Sequence, residues 1–216
     1  SSGSAIRDGV DIRIKDWVEV YRAGDVIPKI KCVILSKRGQ DTKRYIFPKN
    51  CPNCTRAVVK EDGDSVTRCS GGILCPAQAV EKLKHFVSRK AFNIVGFGKK
   101  IVEVFYVNKF LRNPSDIFFL EENYGPLNLI KLEDEEGWGG TSAAKLFKSI
   151  HKSRNISLAR LIYALGIRHI GEQAASLLAK HYKSWDNFYQ QICMAKNKET
   201  KQWSDLSLID GLGDIM

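Results

Sequence analysis

The sequence lacks any long apolar run and any secretion signal. No hydrophobic stretch in its 216 residues approaches the roughly 20 that a membrane-spanning helix needs. The N-terminus also lacks the charged, apolar and small-residue succession of a signal peptide, so nothing in it indicates secretion. Residues 1–4, Ser-Ser-Gly-Ser, resemble an expression scar rather than part of the fold. We therefore expect a cytoplasmic protein with no membrane partner.

The second half of the chain lacks net charge. Residues 1–110 contain 21 Lys and Arg against 11 Asp and Glu, whereas residues 111–216 contain 13 of each. The excess of +10 therefore lies entirely in the first half. A localised cationic field favours a polyanionic partner, because neutralising phosphates releases condensed counterions. Charge alone, however, fits a merely solvated basic surface equally well.

Residues 5–48 lack helical periodicity and predict β-structure. The stretches 10–14, 17–21 and 31–35 are rich in Val, Ile and aromatic residues and are separated by turn-forming residues. Two or three strands cannot close a barrel, and isolated hairpins are only marginally stable in water. This segment is therefore expected to belong to a larger β unit.

Residues 51–76 lack an apolar core but contain four of the six cysteines. Two residues separate Cys51 from Cys54, fourteen more precede Cys69, and five precede Cys75. Two close pairs across a hairpin suit a tetrahedral Zn²⁺ ion with four thiolate ligands, whose binding free energy would replace the missing core. The alternative, two disulfides, is typical of secreted chains and suits this sequence less well.

From residue 77 onward the apolar residues recur at helical steps, and a glycine-bearing turn repeats between the helices. The turns occupy residues 93–100, 136–140, 166–171 and 209–213, and each follows a helical run. The first three also precede a helix, while the fourth is cut off near Met216. The pattern predicts tandem helix-hairpin-helix motifs.

A glycine turn before a helix can bind phosphate. The first amides of a helix have no intrahelical partner and carry partial positive charge, and glycine lets a phosphate approach them closely. One such turn is more often a plain connection between helices, but four beside a basic half favour DNA contact without sequence reading. The candidate contacts are Gly96, Gly98, Lys99, Lys100, Gly137, Gly139, Arg168, His169, Gly171, Gly211 and Gly213.

Three features in this order resemble the bacterial NAD-dependent DNA ligases. They are the strand segment 20–29, the four-cysteine set ending in Cys75-Pro76-Ala77-Gln78, and the hairpin array. The resemblance covers residues 6–213. It implies a multi-domain fold with the C-terminal half of an all-β OB-fold at 5–48, a small zinc finger at 49–78, and an all-α helix-hairpin-helix domain at 79–216 whose fourth motif is truncated.

The resemblance also implies a function. The chain would bind and position nicked duplex DNA, within the bacterial nucleoid, for sealing of 5′-phosphate and 3′-hydroxyl ends in replication and repair. Arg22, Lys29 and Ser142 would join the hairpin residues in contacting DNA. Gly140 and Thr141 stand where the second hairpin usually carries charged residues, which predicts weaker phosphate contact there.

The family's adenylation and NAD-recognition domains, the first half of its OB-fold and its BRCT domain are absent from this sequence. No residue is therefore assigned a catalytic role. We expect NAD and Mg²⁺ to act only in the full-length enzyme, and this fragment to be monomeric and inactive alone. The structural Zn²⁺ would be its own cofactor.

Two other functions remain open at this point. A non-enzymatic zinc-ribbon and helix-hairpin-helix module of another repair protein would bind DNA in a similar way. A zinc-stapled protein-interaction domain would use the glycine turns only as connections between helices.

Overall fold

The computed structural model describes residues 6–7, 9–24, 27–60 and 66–212. Gly213 and residues 1–4 lie outside the described residues. The chain forms two compact units, Ser1–Gly71 and Gly72–Met216. Within the described ranges, the helices are too short or too polar to cross a bilayer.

Short antiparallel strands build the first unit. The register pairs β1 with β2, β3 with β6, β4 with β5, and β7 with β8. Their bounds are β1 Ile6–Arg7, β2 Val10–Asp11, β3 Arg13–Ile14, β4 Val18–Ala23, β5 Ile27–Val33, β6 Lys43–Arg44, β7 Val58–Val59 and β8 Arg68–Cys69.

The predicted strand pattern is right in kind and wrong in its boundaries. The stretch 10–14 is two strands with different partners, and the stretch predicted at 31–35 ends earlier because Leu35–Lys37 turns into a 3-10 helix. Pro28 lies inside β5, opposite Arg22 of β4. Within the described residues β4 and β5 form a two-stranded sheet, and an outer edge tolerates the missing N–H of proline.

An ion-pair network connects these short strands. The Arg38 guanidinium contacts the Asp16 carboxylate through Nε at 2.8 Å and Nη2 at 2.7 Å. Its Nη2 also donates to the Asp11 carbonyl oxygen over 2.6 Å. The side chain of Asp16 is 1% exposed. Arg38 therefore ties the turn after β5 to β2 and to the loop after β3.

The second unit is helical, as predicted. Each glycine turn lies between two helical segments, as the repeat requires, except that the fourth runs out of the described residues. The helices are α1 Pro76–Val87, α2 Lys99–Val107, α3 Leu120–Tyr124, α4 Gly140–Ser153, α5 Leu158–Ala164, α6 Glu172–Tyr182, α7 Trp185–Met194 and α8 Lys201–Ser207. The 3-10 helices of this unit occur at Gly72–Leu74, Pro114–Phe119 and Leu132–Asp134.

Two apolar clusters hold this helical unit together. The larger one joins α1, α2 and α4, with Leu83, Phe105 and Leu146 almost fully buried. The smaller one packs α5 and α6 around Ile162 and Leu178. Within the helices the buried residues recur at helical steps, which is why the apolar periodicity predicts these elements.

Polar contacts fix the first hairpin relative to the third. Arg160 of α5 donates through Nε to the Ala91 carbonyl over 2.7 Å and through Nη2 to the Arg89 carbonyl over 2.8 Å. Lys90, between them, pairs with Glu172 at the start of α6. The loop that leads into the first turn is thus bound to helices on both sides of the third turn.

Candidate zinc site and nucleic-acid interface

The four predicted zinc ligands form one cluster. The Sγ atoms of Cys51, Cys54, Cys69 and Cys75 all lie within 4.8 Å of one another. Cys51 and Cys75 are buried, and the other two are half-buried. Among the described residues, no other group of three or more potential metal ligands converges in this way.

Local backbone structure positions these cysteines. The Thr55 amide donates to the Cys51 carbonyl over 2.8 Å, and Thr55 has a left-handed φ of 58° that closes the turn. The β7–β8 hairpin places Cys69 opposite Val58. After the 3-10 turn, Cys75 serves as the N-cap residue of α1. A tight turn, a hairpin and a helix start therefore deliver the ligands.

The donor set fits Zn²⁺. Four ligands about 2.3 Å from one ion at tetrahedral corners lie about 3.8 Å from one another, and the Sγ atoms of Cys54 and Cys69 are 3.4 Å apart. The backbone amides of Asn53 and Cys54 donate to Cys51 and lower the pKa of its thiol to about 7. A lowered pKa favours the thiolate that a metal binds. None of the six cysteines forms a disulfide.

The glycine turns share one backbone conformation. Gly96, Gly137 and Gly211 have left-handed φ values of 91°, 82° and 84°. At the equivalent place in the third turn, His169 has a φ of 66°. Glycine adopts this conformation freely, whereas a residue with a Cβ atom is strained. The third copy therefore departs from the others in residue type but not in geometry.

The second glycine of each of the first three turns is open on its outer side. Gly98, Gly139 and Gly171 are the N-cap residues of α2, α4 and α6 and have extended backbone that any residue can adopt. A Cβ atom added to any of them would meet none of the described heavy atoms within 4 Å. Neither backbone nor internal packing therefore requires glycine here. Close approach of an external group to the helix amides would explain its presence.

The predicted basic residues surround these turns. Lys99 and Lys100 are the first two residues of α2, and both are exposed. Arg168 and His169 are exposed in the third turn. Their charges and polar groups can therefore supplement the amides of α2 and α6.

The second and fourth turns differ from this pattern. The Ser142 hydroxyl accepts a hydrogen bond from the Gly139 amide over 3.0 Å and donates to the Gly139 carbonyl over 2.9 Å. Ser142 thus caps α4 from within the chain. A Cβ atom on Gly211 would lie 3.0 Å from Leu177 Cδ1, so the fourth turn packs against α6.

A groove connects the first two turns. It has a volume of about 740 Å³, and both Gly96 and Gly137 line it. We call it the α2–α4 groove. Its apolar lining includes Val95, Val104 and Trp138. Val104 is half exposed, although its helical spacing suggests a position in the core. Its lysines are Lys100, Lys145, Lys148 and Lys152.

Lys145, Lys148 and Lys152 are missing from the sequence-based set of contacts. Their spacing of three and four residues places them on one face of α4. This spacing is the one feature of the sequence that could have indicated them. The same spacing is typical of a solvated helix face, so the sequence alone gives no reason to select them.

Two parts of the chain match known families. Residues 50–77 match the NAD-dependent DNA ligase C4 zinc finger domain, and residues 160–195 match the helix-hairpin-helix motif. The chain is 58% identical over 186 residues to a DNA ligase of Paracoccus denitrificans, which covers 86% of this chain and 24% of that protein. It is 50% identical over 216 residues to a DNA ligase of Roseobacter denitrificans, covering 100% of this chain and 30% of that protein.

The chain belongs to the NAD-dependent DNA ligases. It is a C-terminal part of such an enzyme and spans between 24% and 30% of the length of these two relatives. The predicted four-cysteine zinc finger is confirmed. The predicted order along the chain, a β segment, then the finger, then a helical region, is confirmed as well.

The two predicted contacts in the strand segment of this ligase lie on the β4–β5 hairpin. Arg22 and Lys29 are both exposed. Arg22 stands opposite Pro28, and Lys29 stands opposite Tyr21. They belong to the first compact unit, whereas the glycine turns belong to the second.

Proposed function

We propose that this part of the ligase binds duplex DNA around a nick and holds the 5′-phosphate and 3′-hydroxyl ends for sealing in replication and repair. The adenylyl transfer and the joining step would be performed by the rest of the enzyme, where NAD and Mg²⁺ act. Holding two ends in line makes their reaction effectively intramolecular. The fragment would be inactive alone, monomeric, and located with the nucleoid in the cytoplasm.

The observation that supports this proposal best is the set of open glycines before α2, α4 and α6. Three N-cap glycines that the fold does not need are each preceded by a turn of the same conformation. Phosphate is the ligand that such helix starts bind most readily, through amides and the helix dipole. The lysines at the start of α2 add charge to the first of these sites.

We also propose a division of labour along the chain. Residues 5–48 would form the C-terminal half of an OB-fold and contribute Arg22 and Lys29. Residues 49–78 would form a structural zinc finger that stabilises the chain without touching the reacting groups. Residues 79–216 would form the helix-hairpin-helix domain and supply most phosphate contacts.

Fluorescence anisotropy with nicked, intact and single-stranded DNA tests the proposal directly. Replacing Gly98 by Val should weaken duplex binding by about tenfold or more, since a hydrogen bond to a charged group contributes about 1.5–3 kcal/mol. Gly39→Val is the matched control, because a side chain at Gly39 also meets no described atom within 4 Å and lies outside the hairpins. Equal affinities for both variants would argue against phosphate binding at the turns.

A complementation assay separates this ligase function from generic DNA binding. The chain, supplied in trans to the remainder of a ligase of this family, should raise the rate of nick sealing. The same amount of Gly98→Val protein should raise it less. A stimulation that the variant matches would indicate that the hairpins do not position the nick.

A further inference from the structure

The second hairpin carries no basic side chain at the start of its helix. A Cβ atom on Gly140, the first residue of α4, would lie 3.0 Å from the Glu133 carboxylate oxygen. Thr141 is uncharged, and the Ser142 hydroxyl is used to cap the helix. None of the three residues Gly140, Thr141 and Ser142 therefore supplies a positive charge at the start of α4.

Basic side chains occur instead further along the same helix. Lys145, Lys148 and Lys152 are exposed and line the α2–α4 groove together with Lys100. Lys152 follows Lys145 by seven residue steps, which corresponds to about 10 Å along the helix axis. We call these three residues the α4 lysine ridge.

We propose that the α4 lysine ridge binds the sugar-phosphate backbone of duplex DNA in the α2–α4 groove and supplies the charge that the second hairpin lacks. This inference rests on the proposed function, because it assumes that the adjoining glycine turns face DNA. It assigns a binding role to residues that lie outside the glycine-turn motif.

The composition of the groove favours a DNA strand as its occupant. Gly96 and Gly137, from two turns that end at open N-cap glycines, line the same groove as the ridge. Of the acidic residues, Glu136 alone is among the lining residues described. Val95 and Val104 expose apolar surface between the lysines, against which deoxyribose carbons can pack. An acidic amphipathic peptide is the competing occupant.

The salt dependence of DNA affinity provides the test. The triple variant K145Q/K148Q/K152Q should reduce the slope of log affinity against log salt by up to about 2.7, at about 0.9 for each phosphate that is no longer neutralised. The matched control is K180Q/K196Q/K198Q, which removes the same charge from exposed lysines on α6 and after α7. Glutamine has a helix propensity close to that of lysine, so both variants should fold.

The outcomes distinguish this inference from the proposed function. A slope that falls no more in the ridge variant than in its control overturns the ridge, while a weakened Gly98→Val variant still supports phosphate binding at the turns. An unchanged DNA slope combined with loss of binding to an acidic helical peptide assigns the groove to a protein and also overturns it. If no variant alters DNA affinity, the proposed function itself fails.

Amine-reactive footprinting on the unaltered chain gives a second measurement. With nicked duplex present, modification of Lys145, Lys148 and Lys152 should decrease, and modification of Lys180 and Lys198 should not. Equal reactivity of the ridge with and without DNA overturns the inference regardless of how the variants behave.

Discussion

His169 occupies a backbone conformation that the other turns give to glycine. Its φ of 66° corresponds to 91° at Gly96 and 82° at Gly137. A residue with a Cβ atom is strained by about 1–2 kcal/mol in this region. His169 is exposed, so its imidazole is free to face a ligand. The chain accepts strain at this position while keeping a polar side chain in the turn.

Replacing His169 by Gly should stabilise the helical unit. We expect the free energy of unfolding to rise by about 0.5–1 kcal/mol, because the relieved strain exceeds the extra chain entropy of glycine. Urea unfolding monitored by circular dichroism measures this change. His169→Ala keeps the Cβ atom and should give no such gain. A destabilised His169→Gly variant would mean that the imidazole contributes more to packing than its exposure indicates.

Asp16 makes the stability of the first unit dependent on pH. The Arg38 guanidinium holds the pKa of this carboxyl below its usual value of 3.8. The ion pair between Arg38 and Asp16 therefore stabilises the folded state above the usual carboxyl pKa of 3.8. This stabilisation is lost as the pH falls from 3.8 through the lowered pKa of the folded state. The protection factors of residues 10–14 in hydrogen exchange, which are corrected for the pH dependence of intrinsic exchange, should fall over this acidic range.

The Asp16→Asn variant tests this dependence. Residues 10–14 of this variant should have lower protection factors than those of the unaltered chain near neutral pH, and these should fall little further on acidification. Asp41→Asn, at an exposed position outside the network, is the control. If Asp16→Asn and the unaltered chain exchange alike at pH 6, the ion pair does not hold these strands together.

The four-cysteine finger should depend on bound Zn²⁺ for its stability. Removing Cys69 should release zinc and unfold residues 50–76, because ligand binding supplies the folding free energy of such a segment. Cys69→Ser, with metal content measured by mass spectrometry, is expected to contain less than the full equivalent of zinc. Cys193→Ser removes an exposed thiol outside the cluster and should retain it. Full zinc content in Cys69→Ser would reject the four-ligand site.

The sequence predicts some elements better than others, for physical reasons. The cysteine spacing predicts the cluster because four thiols near one ion leave few alternative geometries. The helices follow from apolar periodicity. The strand at 10–14 divides because its two halves pair with different partners, and such pairing is a tertiary choice that no local pattern records. The α4 lysine ridge could not be selected from the sequence for a similar reason, because the groove that it lines forms only when α2, α4 and the turns pack together.

For the molecule as a whole, phosphate-based binding predicts indifference to base sequence. In the proposed function, amides at helix starts and lysines would contact the DNA backbone, which carries little sequence information directly. Affinities for duplexes of equal length and different sequence should therefore agree within about twofold, a difference of roughly 0.4 kcal/mol. Competition anisotropy with several shuffled duplexes measures this. A preference above tenfold for one sequence would point to base contacts in a groove of the DNA.

The hydrogen bonds from Arg160 to the carbonyl groups of Arg89 and Ala91 limit which double helices the proposed DNA-binding surface can accept. Because these bonds hold the first turn to the third, the interval between the phosphate sites proposed for the two turns is set by the protein. On that proposal, the two turns together bind a duplex whose backbone phosphates recur at the matching interval. A duplex of A-form geometry, as in an RNA hybrid, has a different groove and backbone geometry, so it would contact one proposed site and not the next.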